Sequence, residues 1–434
     1  MVTIDDFKYV LALWKEYKIP NIIKRDMHID LETDKIIAIA GSRRTGKTYL
    51  MFQCMTELLK KGVRDDNIVY VNFENERLVG IVVSDLDNLL IAHKELFNPD
   101  GTIYLFLDEI QVVESWDKWV RKIYDTGKYR IIVTGSSSEL LSSEIATSLA
   151  GRNLTYIVYP FSFKEYVAAK GLKISKLQKY SIEKGTVLKL VDDFLEYGSF
   201  PEIAMTHNAS RKLELLSSYF DAIFFRDMVR RYGIREVGEL NIFLRILSSS
   251  YASYFSSVKV LNYFRSTGRM ISRTTLLNFL YYSKSVFLVD ILEKYEKSVQ
   301  KRIAMQSKIY ITDIGISRLF SDIDRGRALE NAVFMELLRN ASTAENINYL
   351  RLKSGKEVDF ILTGKTMELI QVSYSVSAPG TRSRETSALV EAAMNLGLNT
   401  GKIITYDYEG EESINGILIK YIPFWVWALF KPDT

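Results

Sequence analysis

Short apolar runs alternate with amphipathic stretches along residues 1–165 of the chain. The apolar runs are continuous and rich in β-branched or aromatic residues, which is typical of strands buried on both faces by crossover helices. The amphipathic stretches between them have the spacing of helices that cover such a sheet. The pattern therefore predicts a parallel α/β sheet. Its strands are predicted at 36–40, 68–73, 103–107, 130–133 and 154–158.

Helical spacing replaces this pattern after residue 165. Apolar positions recur at helical intervals up to residue 235, which predicts a helical lid. The segment 197–201, which contains Gly198 and Pro201, interrupts the helical pattern. From residue 328 onwards, helix, strands, helix and strand follow one another and predict a second α/β unit.

The region between the lid and this second unit combines short helices with a β-rich stretch. Helices are predicted at 240–247, 258–264 and 273–282, and a β-rich segment follows at 286–292. Short helices followed by a wing-like strand pair favour a winged helix. The predicted domains are therefore 1–165, 166–235, 236–327 and 328–434.

Composition and charge narrow the function classes. Apolar residues make up 47% of the chain and charged residues 25%, as in ordinary globular proteins. No uncharged stretch approaches the roughly 20 residues that cross a bilayer, and the N-terminus lacks a secretory signal pattern, so we expect a cytoplasmic protein without a membrane partner. The single cysteine, Cys54, excludes an intrachain disulfide and a cysteine-built zinc site. With 57 basic and 53 acidic residues, the bulk charge neither requires nor excludes nucleic acid.

A phosphate-binding motif lies between the predicted strand 36–40 and an apolar helix at 49–59, and it fits the P-loop pattern at every specified position. Glycines let backbone N–H groups converge on phosphate oxygens, and the following helix N-terminus adds positive potential. Lys47 is expected to reach the β- and γ-phosphates of ATP, and Thr48 to offer its hydroxyl to Mg²⁺. A Gly-rich turn without a ligand is the alternative. The predicted nucleotide-binding residues are Gly41, Ser42, Arg43, Arg44, Thr45, Gly46, Lys47 and Thr48.

An acidic pair follows the predicted strand 103–107, as in a Walker B segment. Asp108 is expected to hold Mg²⁺ through its shell, and Glu109 to act as the catalytic base that polarises the attacking water. A solvated strand end is the alternative. After the next strand, Thr134 or Ser136 is expected either to hydrogen-bond the γ-phosphate or the attacking water, or to cap the following helix.

Arg152 immediately precedes the last predicted strand of the sheet. In oligomeric P-loop ATPases an arginine at this location commonly reaches the γ-phosphate bound by a neighbouring subunit and stabilises the charge of the transition state. Such a role predicts a homo-oligomer whose hydrolysis depends on assembly. A phosphate contact or a structural contact within one subunit is the alternative.

The motifs of the N-terminal half resemble those of the AAA-type ATPases common in archaea and many bacteria. The C-terminal half resembles the uncharacterised domain that usually follows such an ATPase. The resemblance implies ATP and Mg²⁺ as cofactors and leaves the biological task open. It rests on 40–48, 107–111 with Trp116, 133–137, 151–152 and 160–166 in the N-terminal half, and on 329–334, 353–360 and 370–374 in the C-terminal half.

Acidic residues of the C-terminal half have the order of a PD-(D/E)XK nuclease core. Glu330 lies on a predicted helix and Asp359 at the start of a strand, but the next strand carries Gln371 and Ser373 where the core needs an acid and a lysine. A neutral amide is a poor ligand for a hard cation, and serine lacks the positive charge of lysine. We interpret this unit as a nuclease-like fold that has lost cleavage. Alternatively, Glu330 and Asp359 form plain salt bridges with Lys356 or Arg351.

Basic side chains of the C-terminal half offer DNA phosphate contacts that need no metal. The predicted helix at 273–282 carries polar side chains able to contact phosphate or base edges. A second basic stripe, at helical spacing in the lid, is interpreted as a solvated face. For the C-terminal half and the predicted helix at 273–282, ordinary surface charge is the alternative. For the lid, the alternative is a phosphate-contacting stripe or a sensor on the nucleotide. The residues are Lys353, Lys356, Arg382 and Arg384 in the nuclease-like unit, Arg269, Arg273, Thr274, Asn278 and Lys284 in the winged helix, and Arg226, Arg230, Arg231 and Arg235 in the lid.

Together these patterns predict an α/β protein in which a P-loop NTPase sheet is followed by a helical lid, a winged helix and a nuclease-like α/β domain. The predicted function is a Mg²⁺-dependent ATPase, converting ATP and water to ADP and phosphate, that acts as a conformational switch on DNA. A nucleotide-dependent scaffold that recruits a protein partner, with slow hydrolysis as a timer, is one alternative. An ATP-gated nuclease is the other.

Overall fold

The structure, a computed structural model, divides into two compact units, Met1–Tyr159 and Pro160–Thr434. The second unit begins slightly before the predicted boundary at 165/166. Each unit has its own sheets and core, and each is described separately below. The residues described are 1–136, 149, 151–175, 177, 183–296, 298, 300, 305–340, 346–364, 366–377 and 379–430.

A parallel sheet forms the centre of the first unit. Its strands are β1 (Ile36–Ala40), β2 (Ile68–Asn72), β3 (Ile103–Asp108), β4 (Tyr129–Gly135) and β5 (Asn153–Ile157). They lie in the order β2-β3-β4-β1-β5, and every neighbouring pair is parallel. Parallel neighbours need crossover connections. Among the described residues these contain α2 (Lys47–Lys60), α3 (Leu86–Phe97) and α4 (Trp116–Tyr124), while α1 (Ile4–Glu16) precedes β1.

Strands β1, β3 and β4 are apolar and mostly buried along their length, whereas the edge strand β5 is partly exposed. Each of the predicted strands is present, with bounds that differ by at most two residues at either end. Ile39, Phe106 and Ile132 pack with residues of α2 in one buried cluster. Replacing a buried ring such as that of Phe106 by Ala is expected to cost about 3–5 kcal/mol. The cluster therefore fixes the carboxyl ends of β1, β3 and β4 side by side, and the loops that follow these strands meet at one edge.

Helices begin the second unit. They are α5 (Phe163–Ala169), α6 (Lys184–Tyr197), α7 (Pro201–Met205) and α8 (Ala209–Asp221), and a π-helical stretch, Ala222–Arg230, continues the last of them. The break between α6 and α7 coincides with the predicted interruption at 197–201. Ser162 caps α5 with a capping box, since its hydroxyl accepts from the Glu165 N–H and the Glu165 carboxylate accepts from the Ser162 N–H.

A small mixed layer follows these helices. Its elements are α9 (Val237–Ser249), β6 (Ser253–Tyr254), α10 (Ser257–Ser266), α11 (Arg273–Ser285), β7 (Val289–Leu292) and β8 (Lys308–Ile311). Strand β8 lies between β6 and β7 and is antiparallel to both. Phe243 of α9 and Phe279 of α11 pack with ring centroids 5.8 Å apart and join the helices in one core.

A larger mixed sheet completes the second unit. Its strands are β9 (Ile347–Arg351), β10 (Glu357–Thr363), β11 (Met367–Ser373), β12 (Thr400–Thr405), β13 (Gly410–Ile414) and β14 (Ile417–Pro423), in the order β13-β14-β12-β11-β10-β9. The helices α12 (Ile314–Arg318), α13 (Arg325–Asn340), α14 (Pro379–Leu396) and α15 (Phe424–Leu429) accompany it. A parallel sheet in the first unit and a separate sheet domain at the C-terminal end confirm the predicted α/β fold class.

No helix within the described ranges is long and apolar enough to cross a membrane. The apolar segment near the C-terminal end is instead packed inside the second unit. Phe424 of α15 lies 5.4 Å from Phe163 and 6.1 Å from Phe194, measured between ring centroids. The helix therefore contributes to the core beside α5 and α6.

Candidate functional site

The loop between β1 and α2 is the predicted phosphate-binding loop, and its path requires glycine at both ends. A Cβ atom on Gly41 would lie 2.2 Å from the carbonyl oxygen of Val158. Gly46 has a left-handed φ of 95° and directly precedes the first helical residue of α2. Side chains at these positions would clash or strain the backbone. The glycines thus set a tight loop at the N-terminus of α2, where backbone N–H groups are available to an anion.

The ammonium group of Lys47 lies inside this loop. It donates hydrogen bonds to the carbonyl oxygens of Gly41 and Ser42, each at 3.1 Å, and the side chain is 5% exposed. Its Nζ is also 3.5 Å from Oε1 of Glu109. The charge is therefore held at the loop and close to the predicted catalytic base.

Hydroxyl groups from neighbouring elements surround the carboxylate of Asp108. Oδ2 accepts hydrogen bonds from Thr48 Oγ1 at 2.8 Å and from the Tyr70 hydroxyl at 2.9 Å, while Oδ1 accepts from Thr134. Burial raises the pKa of Asp108 above its ordinary value; the hydrogen bond from Thr134 opposes this shift, and the charge of Glu109 adds to it. Asp108 and Thr48 are thus brought together as the sequence predicts for a Mg²⁺ site.

Glu109 follows β3 in a left-handed conformation, with φ 54°. This turn directs its side chain toward Lys47, and Gln111 Nε2 donates to its Oε2 at 2.5 Å. Burial by itself would raise the pKa of Glu109, but the charge of Lys47 and the hydrogen bond from Gln111 bring the pKa below its ordinary value. The carboxylate is therefore ionised near neutral pH, as a base must be.

Thr134 joins the two acidic residues. Its hydroxyl donates to Asp108, and its oxygen accepts from the backbone N–H of Glu109 at 2.9 Å. Ser136, the alternative candidate, has a buried Oγ without a hydrogen-bond partner among the described residues, and so has Ser42 in the loop. Ser137 lies outside the described residues. Unpartnered buried hydroxyls at the edge of a phosphate loop are the kind of group that a ligand satisfies.

Arg25 was not predicted from the sequence, yet it braces the loop. Its guanidinium donates to the carbonyl oxygen of Thr45 at 2.6 Å and to that of Tyr159 at 2.7 Å. Among the predicted loop residues, Arg43 pairs with Glu74 at 3.0 Å. Neither Arg25 nor Tyr70 belongs to a sequence motif. Each reaches the site through contacts between segments that are distant in the sequence.

Arg152 lies at the other edge of the sheet. It directly precedes β5, whose first residue, Asn153, pairs with Ile36 at the amino end of β1. The P-loop leaves β1 at its carboxyl end, about 16 Å away for a strand of this length. Arg152 Nε lies 3.5 Å from Oδ1 of Asp125, and its guanidinium lies 5.8 Å from the Tyr124 ring centroid. The structure thus does not bring Arg152 to the P-loop of its own chain.

In the second unit the predicted acidic residues surround a lysine. Lys308 Nζ lies 3.0 Å from Glu330, 2.8 Å from Glu357 and 3.2 Å from Asp359. Burial, with the charge of Asp359, raises the pKa of Glu330 to about 7. The predicted salt-bridge partners were Lys356 and Arg351, and this is corrected: the cation is Lys308 of β8, because β8 packs against α13.

The neutral residues of the nuclease-like pattern have structural roles. Gln371 Nε2 donates to Glu385 at 2.7 Å, and its Oε1 accepts from the backbone N–H of Asp359 at 3.2 Å. Ser373 Oγ donates to the carbonyl oxygen of Ser375 at 3.1 Å. Several of the predicted groove cations carry their own counter-charges: Lys356 with Glu391, Arg382 with Glu412, and Arg384 with Glu385.

Helix α11 presents a polar face to solvent. Arg273, Thr274 and Asn278 are exposed, and so is Tyr281, at 66%. Arg269 pairs with Glu239 at 3.0 Å, and Lys284 lies 3.8 Å from Asp290. In the lid, Arg231 lies 3.8 Å from the buried Asp227.

Comparison with known proteins identifies domains and relatives. Residues 33–167 match the model of an AAA domain, and 188–326 and 325–427 match two domains of unknown function, DUF8612 and DUF4143. An uncharacterised protein of Methanocaldococcus jannaschii is 40% identical over 418 residues, which cover 94% of this chain and 91% of that protein. One of Haemophilus influenzae is 30% identical over 399 residues, covering 91% and 95%. A solved Walker-type ATPase of Pyrococcus abyssi superposes with a TM-score of 0.42 at 17% identity, covering 74% of this chain and 96% of that one.

Proposed function

The chain belongs to the same family as the Methanocaldococcus and Haemophilus proteins, with an AAA-type P-loop ATPase domain followed by two domains of unknown function, and we propose that it is a Mg²⁺-dependent ATPase acting as a conformational switch on DNA. The reaction is ATP + H₂O to ADP + phosphate. One observation carries the proposal: Lys47, Thr48, Asp108 and Glu109 meet at the carboxyl edge of the parallel sheet.

The loop and its surroundings fit a nucleoside triphosphate with Mg²⁺. The unpartnered hydroxyls of Ser42 and Ser136 are free to donate to phosphate oxygens, and Lys47 supplies a positive charge. Thr48 and Asp108 would hold the metal, since hydroxyl and carboxylate oxygens are the donors that Mg²⁺ prefers. When bound, Mg²⁺ neutralises charge on the β- and γ-phosphates.

The ionised Glu109 is the group that accepts the proton of the attacking water. Gln111 and the backbone contact with Thr134 fix its position from two sides. When ATP binds, Lys47 must exchange its contact with Glu109 for one with phosphate. ATP binding and the release of Glu109 from Lys47 are therefore linked. Arg152, which faces away from its own P-loop, is proposed to act on the nucleotide of a neighbouring copy in a homo-oligomer.

The element order of residues 237–311 supports the DNA role. Helix α9, strand β6, helices α10 and α11, and strands β7 and β8, with β8 between β6 and β7, follow the arrangement of a winged helix. In that arrangement α11 is the helix offered to the major groove. Its exposed Arg273, Thr274 and Asn278 have side chains suited to phosphate and base edges.

The C-terminal sheet is proposed to bind DNA without cutting it. Glu330 on α13 and Asp359 on β10 have the positions of a nuclease core, but Lys308 Nζ lies between their carboxylates. The chain thus supplies its own cation there. Gln371 is neutral and donates its amide N–H to Glu385, so it adds no anionic ligand for a metal. These contacts favour a scaffold over the ATP-gated nuclease.

A protein-recruiting scaffold is the second candidate, and exposed apolar side chains favour it. Met270 and Leu277 are 91% and 43% exposed at or near the face of α11 that carries Arg273. Such side chains suit a protein partner better than a phosphate backbone. Two results together would favour this candidate. The chain would capture a protein, and its affinity for duplex DNA would be absent or unchanged between low and moderate salt.

Phosphate release by the full chain tests the ATPase. The wild type is expected to turn over ATP, Lys47→Ala to lose nucleotide affinity and turnover together, and Glu109→Gln to keep affinity while turnover falls at least about a hundredfold. Equal rates in all three proteins would remove the mechanism.

Fluorescence anisotropy with a labelled duplex at two salt concentrations tests the DNA role. Arg273→Ala is expected to weaken binding and reduce the salt dependence, because one phosphate contact is lost. Arg211→Ala is the control, since Arg211 is also exposed but lies on α8 and pairs with Glu214. Equal weakening by both substitutions would contradict the assignment of α11.

A further inference from the structure

Tyr70 lies in the middle of β2 and reaches across to the acidic pair after β3. Its hydroxyl donates to Oδ2 of Asp108 at 2.9 Å. The register explains this reach, since Tyr70 is opposite Phe106 and Asn72 is opposite Asp108 in the parallel pair. A long side chain leaning along the strand therefore spans the two-residue offset.

The hydroxyls that donate to Asp108 differ in whether they are also proposed to bind the metal. Thr48 is itself a proposed metal ligand, so its oxygen must serve the cation as well as Asp108. Tyr70 has no such second task. Tyr70 thus provides a constant contact on the oxygen that Thr48 shares.

The ring of Tyr70 belongs to an aromatic cluster that includes the N-terminal helix. The ring of Trp14 in α1 lies 4.4 Å from the Tyr70 ring, measured between centroids. Phe52, in the helix that follows the P-loop, lies 5.6 Å from both rings. Tyr17 stacks on Trp14, with ring centroids 5.6 Å apart, and its ring lies 6.0 Å from that of Phe52 in a tilted arrangement. One side chain therefore touches α1, α2 and the metal-binding carboxylate.

We propose that Tyr70 is a positioning residue for the metal site: its hydroxyl orients Asp108 toward the cation, and its ring makes Trp14 of α1 part of the nucleotide site. This inference rests on the proposed ATPase function and adds a residue that no sequence motif includes. It predicts that the cation affinity of the nucleotide complex depends on one phenolic hydroxyl of β2. It also predicts that Trp14 senses the occupation of the site.

The test compares Tyr70→Phe with Tyr17→Phe in the full chain. Each substitution removes one phenolic oxygen from the same aromatic cluster and keeps the ring, but only Tyr70 donates to Asp108. Mn²⁺ is the probe. Its dissociation constant is measured by electron paramagnetic resonance with the protein saturated by a non-hydrolysable ATP analogue, and ATP turnover is titrated with Mg²⁺ in parallel.

Tyr70→Phe is expected to raise the Mn²⁺ dissociation constant about tenfold, as loss of a hydrogen bond to a charged group does. The Mg²⁺ concentration for half-maximal turnover should rise by the same factor, while KM for ATP at saturating Mg²⁺ stays unchanged. Tyr17→Phe is expected to match the wild type. Equal Mn²⁺ dissociation constants for wild type and Tyr70→Phe would overturn the proposal and leave Tyr70 as a packing residue.

Tryptophan fluorescence gives a readout that does not need turnover. Addition of the analogue with Mg²⁺ is expected to change the emission of the wild type, and Trp14→Phe is expected to abolish most of that change. An undiminished change in Trp14→Phe would contradict the part of the proposal that concerns α1. A wild type that binds no analogue at all would instead refute the proposed function, so the two failures are distinguishable.

Discussion

Nζ of Lys47 lies 3.5 Å from Oε1 of Glu109, and both side chains are nearly buried, at 5% and 11% exposure. The pair joins the end of the P-loop to the turn after β3. Burial alone would raise the pKa of Glu109, but the charge of Lys47, with the hydrogen bond from Gln111 as a second contribution, brings that pKa below its ordinary value. The phosphate-binding group and the base are therefore electrostatically linked, and their linkage can be measured.

Gln111→Ala is expected to move the acidic limb of the pH profile of kcat to higher pH. Gln111 lowers the pKa of Glu109, so its removal raises that pKa, and a larger fraction of the base is protonated at any given acidic pH. Steady-state turnover at saturating ATP and Mg²⁺ from about pH 3 to about pH 8 gives the measurement, because the pKa of Glu109 lies below its ordinary value. An unmoved limb would show that Gln111 does not tune the base.

Arg152→Ala is expected to lower turnover about a thousandfold while leaving nucleotide affinity unchanged, if Arg152 stabilises transition-state charge in a neighbouring copy. Asp125→Ala is the matched control, because it removes the partner of Arg152 within the chain and leaves the arginine. Particle mass with and without ATP is measured beside turnover. If both variants turn over ATP at the wild-type rate, Arg152 has no role in hydrolysis and serves only as the salt-bridge partner of Asp125.

Asp313 should give the second unit a distinctive pH dependence. Its buried carboxylate accepts from the backbone N–H of Ser199 at 2.7 Å and of Gly315 at 2.9 Å, yet burial raises its pKa to about 6, above its ordinary value of 3.8. Between these values the folded chain binds more protons than the unfolded chain, so this contribution to the free energy of unfolding falls as pH rises.

The fall should amount to up to about 3 kcal/mol over this window. The measurement is the free energy of unfolding of the wild type minus that of Asp313→Asn, from urea titrations at pH 4 to 8. We expect the difference to decrease up to about pH 6 and to be flat above it. An increase with pH would contradict the raised pKa.

Lys308→Met is expected to lower the free energy of unfolding by about 3–5 kcal/mol, because it leaves buried carboxylates without their cation. The triple variant Lys308→Met, Glu330→Gln, Asp359→Asn should lose less, since the charges of Glu330 and Asp359 are gone and only that of Glu357 is left without its cation. Urea unfolding of the full chain at pH 8 compares them. A triple variant as unstable as the single one would show that packing, and not charge, accounts for the effect.

The strands of the first unit were predictable because parallel strands buried on both faces have short, continuous apolar runs, and β1 and β3 are such runs. The P-loop residues and the acidic pair were predictable for a related reason, since each motif is local and follows its strand directly. That Thr48 reaches Asp108, sixty positions later in the chain, follows once both strands are placed in one sheet.

Contacts between distant segments were not predictable. Arg25 binds the carbonyl oxygens of Thr45 and Tyr159, and backbone carbonyls leave no trace in a sequence. Lys308 was missed for a similar reason, because the nearby Lys356 was an equally charged candidate and only the packing of β8 decides between them. Tyr70 reads as an ordinary strand residue until β2 and β3 are aligned.

The most direct test of the account is a calorimetric titration of the wild type and of Lys47→Ala with ATP in the presence of Mg²⁺. The account predicts one binding event per wild-type chain and an affinity at least about a hundredfold weaker in Lys47→Ala. A folded wild type that binds no nucleoside triphosphate, or a Lys47→Ala variant that binds ATP equally well, would contradict it.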